Sequence, residues 1–203
     1  MKVERSRLRV IPHGVRHREA LEREAPRESI VLFVGAIQKR KNVTRLVEAF
    51  ERTPANWKLV LAGSFGYGAA EALRTVEQSR RRADITVTGY LADEELDRWY
   101  ERASVFAFPS LDEGFGIPVL EAMSRGLPVV TSNRSALPEV AGDAALLVDP
   151  EDTEAIADGL NRLIADEGLR AELSRSGLQR SKRFTWESAA SQTWEVYREL
   201  LGP

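Results

Sequence analysis

The chain has 203 residues, no cysteine and nearly balanced charge, with 29 Lys and Arg against 31 Asp and Glu. This length suits one large or two small domains, and the missing cysteine excludes disulfides, thiolate metal sites and thiol nucleophiles and fits the cytoplasm. A nucleic-acid-binding protein normally carries a basic excess, so no nucleic acid is expected as a partner.

Short apolar runs alternate along the chain with segments of helical period. Six runs rich in β-branched residues predict strands at residues 30–34, 58–62, 85–88, 105–108, 128–131 and 145–148. Most of them are apolar throughout, which is typical of strands covered on both faces of a parallel sheet. The helical period predicts helices that begin after Asn42 and at 69–82, 93–102, 118–125, 153–165, 167–180 and 185–201. Asn42 is expected to cap the first helix, which Thr53-Pro54 ends.

This alternation predicts an α/β fold with a Rossmann-like, doubly wound parallel sheet in three α/β/α layers. The domain is expected over residues 29–183, after an N-terminal edge segment and linker over 1–28 and before a C-terminal helix over 184–203. Within the first segment, Arg7–Ile11 is a candidate edge strand, and residues 16–27 lack periodicity, as a linker or surface loop does. Ligands of such sheets bind beyond the carboxyl ends of the strands, so the strand-end loops are the expected location of a site.

Three cations, Lys39, Arg40 and Lys41, follow the first predicted strand and precede a helix. Such side chains can reach a phosphate in the crevice, with help from the positive end of the helix dipole. A solvated basic turn explains the same residues, and the segment is neither a P-loop nor a GxGxxG loop. Position alone leaves both interpretations open.

Two glutamates, Glu113 and Glu121, enclose a Gly-Phe-Gly-Ile-Pro turn that leads into a helix. Gly114 and Gly116 let a ligand approach the backbone, and the free N–H groups of the first helical turn can bind a pyrophosphate. Glu121, inside the helix, can accept hydrogen bonds from vicinal hydroxyls such as those of a ribose, whereas Glu113 lies at the mouth of the crevice. A helix start with an acidic dipole partner and an exposed glutamate is the alternative. The bare spacing of two glutamates is a weak signal, but the turn between them, after a Phe-Pro-Ser strand end, is specific.

Two other strand-end loops are weaker candidates. Tyr90 and Leu91 can offer an apolar surface to a nucleotide base, although a simple turn is the favoured interpretation. The glycine-rich loop over 62–68 fits either a base or sugar contact or a mobile connection.

The segment 108–133 resembles the signature of a large family of retaining glycosyltransferases, family 4 or group 1. Val34-Gly35 with residues 39–42 resembles the family's phosphate-contacting loop, and residues 184–187 fit the start of its last helix. The resemblance extends over about residues 7–200 in a consistent order. Within the family, the chain is most similar to mannosyl- or rhamnosyl-type enzymes of cell-surface polysaccharide synthesis.

The resemblance implies the C-terminal, nucleotide-sugar-binding half of a GT-B enzyme, whose N-terminal acceptor domain these residues do not contain. The expected reaction moves a sugar from a GDP- or UDP-linked donor to an acceptor with retained anomeric configuration, without a metal or another cofactor. The expected location is the cytoplasm, with the inner membrane face, through the acceptor-binding half, as an alternative. A non-catalytic nucleotide-sugar-binding module that acts in trans is the alternative function. A Rossmann oxidoreductase is disfavoured because the glycine-rich fingerprint is missing.

The resemblance also implies residue roles. Arg40 and Lys41 would contact the diphosphate and Glu113 a hydroxyl of the donor sugar, and these three form the expected catalytic set. Glu121 would bind the ribose hydroxyls. The other expected donor-binding residues are Gly35, Tyr90, Leu91, Gly114, Phe115, Gly116 and Ile117. Many members have arginine after the first glycine, where this chain has Ala36, which leaves more of the diphosphate to Arg40 and Lys41. A nucleophilic role for Glu113 is disfavoured because no second carboxylate is clearly placed as an acid.

Two features near the ends complete the expectations. The chain has two histidines, His13 and His17. His13 lies at a segment that resembles the family's inter-domain crossing, and a turn residue is favoured there over a catalytic base. Trp186, Trp194 and Tyr197 share one helical face, which is expected to be core, or else exposed and available for self-association.

Overall fold

The computed structural model describes residues 4–16 and 26–201 of the chain. Six strands form one parallel sheet: β1 (Glu28–Val34), β2 (Lys58–Ala62), β3 (Ile85–Gly89), β4 (Ala103–Phe108), β5 (Val129–Ser132) and β6 (Leu146–Val148). Their order across the sheet is β3-β2-β1-β4-β5-β6. The chain therefore winds outward in both directions from β1 and β4, and a crevice opens at the carboxyl edge between these two strands.

Eight α-helices lie within the described ranges: α1 (Val43–Phe50), α2 (Ala69–Gln78), α3 (Asp93–Arg102), α4 (Ile117–Ser124), α5 (Leu137–Ala141), α6 (Thr153–Ala165), α7 (Glu167–Ser181) and α8 (Trp186–Leu201). Helix α1 packs against α2 and α6, whereas α4 packs against α5 and α7. The helices flank the sheet, and the predicted Rossmann-like, doubly wound α/β class is confirmed. Helix α5 was not predicted, because five residues are too few to show an apolar period.

The two central strands carry the core. Residues 31–33 of β1 and 105–108 of β4 are fully buried, as their continuous apolar runs require. The rings of Phe33, Phe106 and Phe108 stack at centroid distances of 5.8 and 6.0 Å. The four residues of the α1 apolar face are also buried: Val43, Leu46, Val47 and Phe50. The core thus fixes the carboxyl ends of β1 and β4 relative to each other.

The predicted edge strand over Arg7–Ile11 is wrong. Residues 5–7 form a 3₁₀ turn, and residues 8–16 form neither helix nor strand. The edge strands of the sheet are β3 and β6. Leu8 and Val10 are 54% and 80% exposed, so the alternation of apolar and charged residues has no buried face to support a strand. Most of the predicted linker, residues 17–25 including His17, lies outside the described residues.

The aromatic face of α8 is exposed and is not part of the core. Trp186, Trp194 and Tyr197 keep about half or more of their surface accessible. Together with residues 11–13 they line an apolar groove of about 500 Å³. Among the described helices, none combines the length and the apolar character that crossing a lipid bilayer requires.

Candidate functional site

Two loops meet at the point where the strand order reverses. The β1–α1 loop carries the three cations, and the β4–α4 loop carries Glu113. The backbone N–H of Leu111 donates to the carbonyl oxygen of Arg40 at 2.8 Å, and Arg40 Nη1 donates to the carbonyl oxygen of Asp112 at 2.5 Å. These bonds hold the two loops together, so the fold joins the two segments that the sequence singled out.

Glu113 is the centre of a charged cluster, which we call the Glu113 cluster and which contains Arg40, Lys41 and Ser110. Its Oε2 lies 2.8 Å from Arg40 Nη1, and its Oε1 lies 2.7 Å from Lys41 Nζ. The hydroxyl of Ser110 donates to Oε1 at 2.5 Å. The side chains of Glu113 and Lys41 are only 8% and 10% exposed, whereas that of Arg40 is 42% exposed. Two cations and one carboxylate leave the cluster with one net positive charge.

Lys41 is held by more than its ion pair. Its ammonium group lies 4.6 Å from the centroid of the Phe108 ring at the end of β4, a distance at which a cation is attracted to a ring face. A buried ion pair is tolerated when hydrogen bonds satisfy both partners, and here the Ser110 hydroxyl and the Phe108 ring complete the surroundings. Because these contacts enclose Lys41, whereas the Arg40 side chain is 42% exposed, Arg40 is the more accessible cation of the cluster.

Asn42 positions this loop in a way that corrects its predicted role. Its backbone is left-handed (φ 58°, ψ 33°), and its side chain makes no capping hydrogen bond to α1. Instead the buried side-chain amide donates to the carbonyl oxygens of Pro109, at 3.0 Å, and Pro150, at 2.6 Å. Asn42 therefore ties the end of the cation loop to the segments that follow β4 and β6.

The glycine turn before α4 presents a row of backbone donors. Within the described parts of the chain, no acceptor is paired with the N–H groups of residues 114–117, and Pro118 has no N–H. Gly116 has a φ of +116°, a conformation that glycine adopts without strain. Consecutive N–H groups at a helix N-terminus attract anions, because the helix dipole adds to their partial charges.

Gly116→Ala is expected to lower the free energy of unfolding by about 1–3 kcal/mol, the usual cost of a strained backbone conformation. The new Cβ would also lie 2.7 Å from Leu137 Cδ2. Gly114→Ala is the matched control, because no atom lies within 4 Å of a Cβ at that position. Denaturant unfolding of both variants measures the difference. Equal stability of the two would contradict the assigned geometry.

Glu121 lies on α4, behind the turn. Its Oε2 accepts a hydrogen bond from the hydroxyl of Tyr100 at 3.1 Å, and no described residue donates to its Oε1. Burial raises the pKa of Glu121 above its usual value, while the Tyr100 hydrogen bond and the nearby Arg125 act in the opposite direction. The two carboxylate oxygens of Glu121 therefore differ, because Tyr100 holds Oε2 and no described donor holds Oε1.

The remaining expected donor-binding residues are more dispersed. The N–H of Gly35, directly after β1, donates to the carbonyl oxygen of Ala62 and so holds β2 in place. Tyr90 follows the edge strand β3 and is 80% exposed, whereas Leu91 packs partly against the core. The described contacts do not join Tyr90 to the Glu113 cluster, because two strand spacings separate β3 from β1.

His13 lies beside the turn. Its ring meets the Phe115 ring edge-on, with centroids 5.1 Å apart, and the Trp186 ring at 6.2 Å. The next residue, Gly14, packs against the start of α8, where a Cβ would lie 2.3 Å from the backbone nitrogen of Trp186. The expectation that His13 is a turn residue stays a prediction.

Two serines of the site were not recognised from the sequence as site residues. Ser110 belongs to the Phe-Pro-Ser strand end, which is the signal that could have identified it. Ser135 follows β5 and has a φ of +58°, and its Oγ lies 2.7 Å from the carbonyl oxygen and 3.2 Å from the backbone nitrogen of Glu113. Its local sequence reads as an ordinary loop, so no local signal indicates this role.

Comparisons with known proteins show the family to which the chain belongs. The family model described as "Glycosyl transferases group 1" matches residues 18–180 of the chain. The chain is 38% identical over 177 residues to O-antigen chain mannosyltransferase B of Escherichia coli. The aligned region covers 85% of this chain and 46% of the mannosyltransferase. The chain thus spans less than half the length of these curated relatives, from 46% of this mannosyltransferase down to 22% of the E. coli serotype-specific mannosyltransferase WbdA.

Solved structures show the same fold. Sucrose-phosphate synthase of Thermosynechococcus elongatus superposes with a TM-score of 0.77 and 34% identity, over 85% of this chain and 45% of that chain. The C-terminal domain of a glycosyl transferase group 1 family protein (LpcC) of Francisella tularensis superposes with a TM-score of 0.67 and 27% identity, over 85% of this chain and 94% of that one. Because the family model matches residues 18–180, which is most of the chain, the chain belongs to the glycosyl transferases of group 1.

Proposed function

We propose that this chain is the C-terminal, nucleotide-sugar-binding half of a hexosyltransferase that acts with retention of anomeric configuration. Two findings support the assignment to this half. The chain covers nearly the whole of the solved F. tularensis C-terminal domain but less than half of the E. coli mannosyltransferase. The missing partner is then an N-terminal domain that binds the acceptor.

The observation that carries the proposal is the pairing of the Glu113 cluster with the row of N–H groups over residues 114–117. A diphosphate needs positive charge and directed donors, and both are present at the same end of β1 and β4. Negative charge grows on the diphosphate as the bond to the sugar breaks. Arg40, Lys41 and the fixed backbone dipoles would stabilise that charge, and such preorganised donors are usually the largest contribution to catalysis.

The two glutamates take different roles in this proposal. Both oxygens of Glu113 lie within ion-pair distance of a cation, which weakens them as nucleophiles and supports a positioning role toward a donor-sugar hydroxyl. Glu121 keeps Oε1 for the ribose hydroxyls. Tyr90 and Leu91 would lie on the base side, beyond β3.

The donor sugar is proposed to be mannose or a related hexose, because the E. coli relative is a mannosyltransferase of O-antigen synthesis. The base is uracil or guanine, and the expected setting is the cytoplasmic synthesis of a surface polysaccharide. Charge neutralisation is assigned to protein groups alone.

Calorimetry with UDP, GDP, ADP and the parent nucleosides tests the proposal. We expect UDP or GDP to bind with a sub-millimolar Kd and its nucleoside to bind much more weakly, with no change in the presence of EDTA. Failure of both UDP and GDP to bind at millimolar concentration would refute the proposal. Sugar transfer only after addition of a separate N-terminal domain would support the half-enzyme, whereas stimulation of another complete transferase would favour the module acting in trans.

A further inference from the structure

Tyr100 is a fully buried tyrosine on α3 whose hydroxyl has a single described partner. Its ring stacks on Phe106 at a centroid distance of 5.9 Å, and the guanidinium of Arg125 lies 4.5 Å from its ring centroid. The hydroxyl donates to Glu121 Oε2 at 3.1 Å. A buried hydroxyl is costly unless it is hydrogen-bonded, and phenylalanine would fill the same space without that cost. The hydroxyl therefore has a specific use at Glu121.

Arg125, the cation beside the Tyr100 ring, does not orient the Glu121 carboxylate. Arg125 Nη2 donates to Asp97 Oδ1 at 2.7 Å, and Arg125 Nη1 donates to the backbone carbonyl oxygen of Glu121 at 3.1 Å. Arg125 thus fixes the backbone of α4 and the Asp97 side chain, but it makes no described hydrogen bond to the Glu121 carboxylate. Among the described residues, Tyr100 is the donor that orients this carboxylate.

We propose that Tyr100 is a positioning residue that holds the Glu121 carboxylate through Oε2 and thereby leaves Oε1 to accept the ribose hydroxyls of a nucleotide. The inference rests on the proposed nucleotide-sugar-binding function. It adds a residue from α3, outside the strand-end loops, to the groups that determine the preference for a ribonucleotide. Tyr100 touches no ligand in this arrangement and acts only through Glu121.

The surroundings of Glu121 also give this arrangement a pH dependence. Burial, Asp97 and Asp93 raise the pKa of Glu121, whereas the hydrogen bond from Tyr100 and the charge of Arg125 lower it. A protonated Glu121 offers hydroxyl groups a poorer acceptor, so the ribose contribution to affinity is lost as the pH falls through this raised pKa. Loss of the Tyr100 hydroxyl would raise the pKa further and move that loss to higher pH.

The test compares Tyr100→Phe with the wild-type chain, each with a nucleoside diphosphate and with its 2′,3′-dideoxy analogue. The base is the one that wild type binds. We expect wild type to lose about 10-fold in affinity when the ribose hydroxyls are removed, the usual size for hydrogen bonds to a charged group. Tyr100→Phe should bind the dideoxy ligand as wild type does and should lose most of the ribose preference. The pH at which half of the remaining ribose preference is lost should be higher in Tyr100→Phe than in wild type.

Phe106→Leu is the matched control, because it disturbs the ring stack but leaves the hydroxyl and Glu121. It should keep the wild-type ribose preference, and circular dichroism sets a temperature at which all three chains are folded. The inference would be overturned if Tyr100→Phe kept the wild-type ribose preference. It would also be overturned if Tyr100→Phe and Phe106→Leu both lost equal affinity for the two ligands. Either result would leave the proposed function standing. Absence of binding by wild type would instead overturn the proposed function.

Discussion

Replacement of Lys41 by methionine is expected to weaken nucleoside diphosphate binding about 10- to 100-fold, because a hydrogen bond to a charged group contributes about 1.5–3 kcal/mol. Methionine keeps an unbranched apolar stem near the Phe108 ring but removes the ammonium group that pairs with Glu113. The net charge of the Glu113 cluster then falls from +1 to zero. Calorimetry with the diphosphate and with the parent nucleoside measures the effect.

The matched control for this prediction is Lys39→Met. Lys39 lies on the same turn, is exposed, and its ammonium belongs to no described ion pair with Glu113. It should change the affinity by a few-fold at most, through weak screened attraction. An equal loss in both variants would show that general positive charge, and not the Glu113 cluster, binds the diphosphate. An equal loss of nucleoside affinity in Lys41→Met would point to a disturbed fold instead.

Glu121→Ala is expected to weaken nucleoside diphosphate binding by about 10-fold or more, and Glu113→Ala by less. In the proposal, the free Oε1 of Glu121 binds the ribose, whereas Glu113, which faces the two cations, binds the donor sugar. Removal of Glu113 would also free both cations to attract the diphosphate, which offsets part of the loss. Titration of the two variants with the same nucleoside diphosphate decides the order, and the reverse order would contradict the assigned roles.

The two glutamates should affect the stability of the fold in the reverse order: loss of the Glu113 carboxylate should be the more harmful change. Glu113→Ala leaves Lys41 buried without its carboxylate partner, and removal of one member of a buried pair costs about 3–5 kcal/mol. Glu121 has a pKa raised above 4.5 mainly by burial. Its contribution to stability is therefore complete below pH 4.5 and is lost as the pH rises through the folded-state pKa. Glu121→Gln should then raise the Tm at neutral pH, and this gain should vanish in acid, as thermal unfolding across pH would show.

The opposite signs separate two uses of buried carboxylates in one site. Glu113 neutralises cations and connects two loops, so the fold depends on it. Glu121 lies in a partly buried place that raises its pKa, so its ionisation lowers stability, a pattern that is common for functional groups. A variant that gains stability and loses affinity would identify Glu121 as a residue retained for binding.

The sequence alone determined the fold class, the positions of all six strands and seven of the eight described helices. It also indicated the two loops that meet at the crevice. Continuous apolar runs and helical periods are local properties, and a parallel sheet places the carboxyl ends of its strands at one edge. The Gly-Phe-Gly-Ile-Pro turn was equally readable, because glycine and proline restrict the backbone in known ways.

Only the tertiary structure decided which side chains pair. Glu113 and Lys41 are 72 residues apart, and their contact depends on how β1 and β4 are placed side by side. The same holds for Asn42, which bridges two distant carbonyl groups in place of capping α1, and for the Tyr100 hydroxyl on Glu121. Hydrogen bonds depend on positions within a few tenths of an ångström, and packing across the sheet sets those positions. The residue pattern therefore indicated the candidate site, whereas the fold determined which of its charges neutralise each other and which oxygen of Glu121 is held by Tyr100.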